Sequence, residues 1–287
     1  MRKILLLTAS ALILFSCSKQ DVSDFSIENE EITIFHASME SAPVSDTKVY
    51  SNDQLKLRWN ADDRISLFEK KSRNKEFKFL GEEGASSGEF EKVSFIFGSG
   101  NPVPHNYAVY PYSSFTSILD LSPYSITLKL PSEQTFKEGS FGLGANTMVA
   151  VSDDDFLNFK NVCGFLRFRF WGNNVKVKSV KLEGNNSEKL AGEATVIADL
   201  DKNPAVTMNG SATGSIILNC TEPVALGTSS DSPTAFILVV PPTNFSKGVK
   251  VTVVDELGRV YERVITSTFT INRTGMKSFP AIEVNPS

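Results

Sequence analysis

Histidine is nearly missing from this chain and cysteine is scarce, with two of the first and three of the second in 287 residues. Zinc sites draw three or four ligands from these residue types at short spacing, and neither C-x-x-C nor H-E-x-x-H occurs. His36 and His105 stand alone, so a metal centre lacks its ligands and a serine relay has little choice of base. No cofactor, no metal and no enzymatic activity are expected. Basic residues are not in excess either: 29 Lys and Arg stand against 33 Asp and Glu, for a formal charge of −4, which argues against nucleic acid as a partner. Also missing is any window of ten or more residues with a sustained 3.6-residue period, which excludes a helical fold. The apolar run over residues 4–15 is too short for the roughly 20 residues of a membrane-spanning helix, and Thr8 and Ser10 interrupt it.

What that run does form is an export signal. Arg2 and Lys3 give a positive start, the apolar stretch follows, and small Ser16 closes it, so residues 1–16 read as a signal peptide. Leu14, Phe15, Ser16 and Cys17 together resemble the lipobox of bacterial lipoproteins. That resemblance implies that Cys17 is lipidated and becomes the new N-terminus. Acyl chains bury CH₂ groups at about 0.8 kcal/mol each, so a multiply acylated cysteine holds a protein on a membrane without a spanning helix. Residues 17–31 are polar and acidic and read as a tether. With Cys17 carrying lipid, only Cys163 and Cys220 remain. Each sits beside an apolar strand-like run, and they read as buried free thiols.

From residue 32 onward the chain is punctuated by short runs in which β-branched and aromatic residues alternate with polar ones. They include residues 32–35, 54–59, 64–68, 76–80, 94–97, 107–110, 125–130, 147–151, 164–171, 175–182, 194–198, 215–218, 235–240, 249–254, 260–265 and 269–271. Segments rich in Gly, Ser, Asn, Asp and Pro separate them. This spacing predicts an all-β protein built of sandwiches, and the length predicts two domains, 32–163 and 164–287. Phe165 is out of phase with Phe168 and Phe170, so a bulge or a change of sheet is expected in the run beginning at Gly164.

The remaining chemical motifs are weak. Gly84, Ala85, Ser86, Ser87 and Gly88 match G-x-S-x-G, but a nucleophile elbow needs a helix after the serine, and a strand-like run follows here. A hairpin loop is the better reading. Asp153, Asp154 and Asp155 lack the alternating spacing of a calcium loop and read as a solvated turn. The N-x-S/T triplets at Asn185, Asn209, Asn219, Asn244 and Asn272 read as turn chemistry. Trp59, Trp171, Tyr107, Tyr110 and Tyr112 would suit a sugar platform, yet rings this large more often fill a core.

Several blocks, taken in order, resemble the fimbrillin-like lipoproteins of Bacteroidales. Trp59-Asn60-Ala61-Asp62-Asp63-Arg64-Ile65 is similar to that family's W-x-x-x-D-x-I block. Tyr107-Ala108-Val109-Tyr110-Pro111-Tyr112, Leu130-Pro131-Ser132-Glu133-Gln134, Asn158-Phe159-Lys160-Asn161-Val162-Cys163-Gly164 and Pro241-Pro242 follow. The resemblance implies two tandem transthyretin-like β-sandwich domains, lipoprotein export to the outer membrane surface, trimming by an Arg- or Lys-specific protease, and assembly into a fimbria by strand exchange. Its implied partners are other fimbrial subunits by β-strand addition and the membrane through the lipid anchor, with a host or glycan ligand left open. Stalk, tip, anchor and accessory roles are all found in the family.

The residues suit that mechanism. Loss of a first strand from a sandwich leaves a groove of unpaired N–H and C=O groups that an extended segment of a neighbour can cover. A head-to-tail contact of this kind propagates into a fibre. Lys48 is the expected processing site and Arg58 the second candidate, the latter within an expected strand. The expected donor is the C-terminal run carrying Phe279, Ile282 and Val284, which Pro280 confines to a sheet edge. The alternative is a surface glycan-binding lipoprotein that serves polysaccharide uptake.

Overall fold

The computed structural model describes residues 33–40, 57–93, 100–119 and 124–285. Among these every regular element is a strand, as the alternating pattern predicts. The first stretch holds β1 (Ile34–Met39), β2 (Arg64–Lys71), β3 (Lys75–Phe79), β4 (Ser87–Lys92), β5 (Pro102–Tyr110) and β6 (Ser117–Leu119). Next come β7 (Ser125–Leu130), β8 (Glu133–Lys137), β9 (Ser140–Phe141), β10 (Met148–Ser152), β11 (Phe156–Asn161) and β12 (Gly164–Trp171). They continue with β13 (Lys176–Gly184), β14 (Gly192–Ile197), β15 (Ala205–Met208), β16 (Ser215–Ala225) and β17 (Thr234–Val240). The last are β18 (Thr243–Phe245), β19 (Val249–Asp255), β20 (Val260–Ile265), β21 (Phe269–Ile271) and β22 (Met276–Glu283).

Seven of them, in the order β1-β11-β10-β5-β2-β3-β4, form a closed barrel, because β1 pairs with β11 on one side and β4 on the other. The remaining strands make a sheet β15-β14-β7-β6, a sheet β17-β12-β22, a sheet β20-β19-β13-β16-β8-β9 and a pair β18-β21. Strands on either side of residues 163 and 164 share sheets: β7 pairs with β14, and β8 runs parallel to β16.

The period of two in the sequence sorts side chains among three apolar cores. On β5, Ala108 and Tyr110 point into the barrel, while Tyr107 and Val109 join a second core under the β7 sheet. On β10, Met148 and Ala150 divide from Val149 in the same way. Strand β12 does it again. Leu166, Phe168 and Phe170 enter a third core, between the β17-β12-β22 sheet and the β13–β19 sheet, whereas Phe165 enters the second. Such strands, buried on both faces, read as nearly continuous apolar runs. The expected irregularity is there too: the β12–β22 register shifts between Arg167 and Arg169, opposite Pro280.

Some expectations need correction, and others lie outside the described residues. Leu57, Arg58 and Trp59 belong to no strand, and Arg58 is exposed instead of shielded. The run at 94–97, Lys48 and Cys17 all fall outside the described residues. Cys163 and Cys220 are buried free thiols, and desolvation pushes their pKa values up to about 12 and about 11.

Candidate functional site

The first strand forms where Phe35 and Ala37 alternate with His36 and Ser38, so one face is apolar and the other polar. Phe35 and Ala37 are buried in the barrel, and the Phe35 ring meets Phe77 edge-on at 5.5 Å. The ladder to β4 is antiparallel and runs from Ile34↔Glu91 to Ser38↔Ser87. The ladder to β11 is parallel and runs from His36↔Phe156 to Met39↔Phe159. At its ends the chain is tied by Lys92 N–H to Thr33 O at 3.0 Å and by Glu40 N–H to Phe159 O at 2.9 Å. Lifting β1 out would leave β4 and β11 as two facing free edges over an apolar floor.

The outward face of β1 is polar. His36 stacks on Phe156 at 5.0 Å between ring centroids, and its two ring nitrogens lie 3.7 Å from a Glu89 oxygen and 3.9 Å from an Asp155 oxygen. Both carboxylates are partly exposed, so these contacts add little to the hold of the ladder.

Past β1 the described chain resumes at residue 57, and Trp59 anchors it there. It is 1% exposed and its indole touches Phe79, Phe90, Tyr110 and Phe159. Its backbone is pinned to the β3–β4 turn: Trp59 N–H donates to Ala85 O, and Gly84 N–H donates to Trp59 O, each at 2.8 Å. The G-x-S-x-G match runs from that turn into strand β4, whose first two residues are Ser87 and Gly88. Asp63 accepts from the Asn60 backbone N–H at 2.8 Å and from the Tyr110 hydroxyl at 3.0 Å. Burial raises its pKa against the pull of those hydrogen bonds. The W-x-x-x-D block is thus a barrel plug with a buried hydrogen-bonded carboxyl. Because the faces of Trp59 are covered by other rings and Tyr107 and Tyr110 are buried, these aromatics pack a core and present no sugar platform.

At the other end of the chain, β22 is an edge strand paired in parallel with β12, which is where Pro280 is tolerated. Phe279 and Val284 are buried in the third core of their own chain, and Ile282 packs against it from a partly buried position. A groove of about 600 Å³ lies between β22 and β20, lined by Tyr261, Ile265, Phe279 and Ile282 among others. Among the described residues no hydrogen bond, ion pair or ring contact joins Arg58 to Phe279, Ile282 or Val284. One feature was not visible in the sequence: Glu40, just past β1, is bonded to Arg273, 233 residues away. No spacing rule marks such a pair.

No protein-family model matches the chain, and no curated protein matches its sequence. Solved structures do. A candidate cell adhesion protein of Bacteroides ovatus superposes with a TM-score of 0.51 at 11% identity, over 87% of this chain and 91% of that one. Another candidate cell adhesion protein, from Bacteroides uniformis, gives 0.48 at 14% identity over 88% and 93%. The tip fimbrial protein Mfa3 of Porphyromonas gingivalis, with C-terminal truncation, gives 0.29 at 9% identity over 81% and 80%. The first likeness shows a shared fold; the other two are too distant to carry an argument.

Proposed function

We propose that this chain is a surface-anchored fimbrial subunit or accessory adhesin that assembles by strand exchange. The observation that carries the reading is β1: the first strand among the described residues, six residues long and hydrogen-bonded on both sides, whose removal opens a barrel. The fold shared with a candidate adhesion protein of Bacteroides, and the motif order that resembles fimbrillin-like lipoproteins, support it. In this reading Cys17 carries the lipid that holds the protein on the outer membrane. Residues 32–163 and 164–287 are the two sandwich domains of the resemblance.

Proteolysis at Lys48 or Arg58 severs β1 from the rest. The exposed position of Arg58 makes it as good a candidate as Lys48. Trp59 then stays behind as the plug, because its ring contacts with Phe79, Phe90, Tyr110 and Phe159 and its backbone bonds to residues 84 and 85 lie downstream of the cut. The vacated groove takes an extended segment of a neighbour, with Phe279, Ile282 and Val284 as candidate donor side chains. A donor drawn from β22 must first give up its seat in its own core, so exchange is strand for strand.

Pinning β1 tests this. His36 and Glu89 face each other across the β1–β4 ladder, and a His36→Cys, Glu89→Cys pair would tie the strands by a disulfide. Mature protein treated with a Lys/Arg-specific protease should form heat-sensitive ladders on gels. The oxidised double variant should be cut equally well yet stay monomeric until reduced. Equal polymerisation of the oxidised variant would refute strand exchange through this groove.

A further inference from the structure

Three donors converge on the carboxylate of Glu40: the Asn161 backbone N–H, the Asn161 side-chain amide at 3.0 Å, and the Arg273 guanidinium. Arg273 also donates to Asn161 O at 3.0 Å and to Asn203 Oδ1 at 3.1 Å. Asn161 is fully buried, and the Glu40 and Arg273 side chains are 20% and 18% exposed. Glu40 therefore satisfies a buried backbone donor, a buried amide and a mostly desolvated cation at once. Removing the carboxylate from such a set takes that acceptor from the two buried Asn161 donors and leaves Arg273 with only the neutral acceptors Asn161 O and Asn203 Oδ1, a costly change for groups this far from water.

The donors and the acceptor belong to different pieces. Asn161 ends β11 and Arg273 sits in the turn between β21 and β22, so both stay with the body of the protein. Glu40 precedes both Lys48 and Arg58, so either cut sends it away with β1. We propose that Asn161 and Arg273 form a carboxylate-reading pocket at one end of the groove, through which the groove selects the strand that replaces β1. The partner that fits is an extended segment with apolar side chains two residues apart, like Phe35 and Ala37, and an Asp or Glu side chain at the place of Glu40; the run carrying Phe279, Ile282 and Val284 has no acid at that spacing, so the pocket selects against it in favour of a donor that has one. The proposal rests on the strand-exchange reading and adds to it the chemistry of the incoming strand.

The test uses mature protein nicked once between residues 40 and 59, and two fluorescent peptides. One has the sequence of residues 33–40 with an amidated C-terminus, so the Glu40 side chain is its only carboxylate; the other carries Glu40→Gln. The Glu peptide should bind at least about tenfold tighter, the scale of a charge-assisted hydrogen bond taken out of water. In Arg273→Gln protein the two should bind within about twofold of each other. Equal binding of both peptides to the wild-type protein overturns the carboxylate pocket and leaves strand exchange standing. Binding of neither overturns strand exchange and the pocket with it. A preference undiminished in Arg273→Gln overturns the role of Arg273, and should that variant not fold, the two peptides on wild-type protein decide the matter alone.

Discussion

Replacing Phe168 by alanine probes whether β22 is a seated part of the fold. Phe168 is 0% exposed, and its ring stacks on Phe279 with centroids 4.6 Å apart and planes 7° apart. On the same strand it is parallel to Phe170 at 6.0 Å. Truncating a buried Phe removes its transfer free energy and leaves a cavity, about 3–5 kcal/mol together. The position is enclosed on the β12 side and by the third core, so little collapse is available and the upper half of that range is expected. Phe279→Ala removes the other half of the stack, but from an edge strand beside an open groove, and should lie near the lower end. Each deletion also forfeits the shared stacking, about 0.5–1.5 kcal/mol, so the double variant should fall short of the sum by that amount. Urea unfolding followed by tryptophan fluorescence gives all three values, provided the slope with denaturant is unchanged. A loss below about 1 kcal/mol for Phe168→Ala would refute the placement of its ring in the core. A neutral Phe279→Ala would show that β22 is not held as described. The same geometry means that deleting residues 277–287 would strip Phe279 and Val284 from the core, so truncation cannot serve as a harmless way to remove a donor.

Burial holds the Asp63 carboxyl above its usual pKa. The folded state therefore binds its proton more tightly than the unfolded state, and this contribution to stability is full below the unfolded value, near 3.9, and shrinks as pH rises through the raised folded one. In urea midpoints from pH 3 to 7, the stability of the wild type relative to Asp63→Asn should decline with rising pH across that window; a flat or rising difference would refute the direction. Gly248 and Gly258 both have positive φ, but an added Cβ at Gly248 would stand 1.9 Å from Ile265 O, whereas at Gly258 nothing lies within 4 Å. Gly258→Ala should cost about 1 kcal/mol and Gly248→Ala about 3 kcal/mol or more, and equal losses in thermal unfolding would count against the close approach. Cys17→Ala should abolish fatty-acid labelling in cells, and palmitate incorporation equal to wild type would rule out Cys17 as the lipid site.

The strands were legible because alternation survives wherever one face is wet: 76–80 and 249–254 needed no tertiary knowledge. The misplaced phase of Phe165 was also readable, and it reports a strand whose two faces serve different cores. Leu55, Leu57 and Trp59 show the limit. They alternate as a strand does, yet Trp59 is buried as a plug by contacts with β3, β4, β5 and β11 that no local pattern encodes. Closure of the barrel was likewise hidden, since it depends on β1 finding β11 in parallel, across more than a hundred residues, as well as β4. Of the candidate site, the strand β1 could be seen in advance, and the carboxylate clasp at its end could not.

The clasp matters for how the two ends of the chain relate. Three ladders among the described residues are parallel, and two of them attach the first and last strands, β1 to β11 and β22 to β12. Parallel pairs are slightly weaker per residue, and a strand at a chain end can be drawn out without threading any loop. Both attachments meet at the short link between β11 and β12. Glu40 bonds Asn161 on one side of it, while Thr274 N–H donates to Cys163 O and Phe165 N–H to Gly275 O, each at 2.8 Å, on the other. Arg273 belongs to both sets, because it holds Glu40 and stands three residues before β22 begins. Loss of β1 with its carboxylate would leave Arg273, at the root of β22, with only the neutral acceptors Asn161 O and Asn203 Oδ1. In the strand-exchange reading, opening the groove would therefore also weaken a contact at the root of β22, which ties the loss of one strand to the hold on the other.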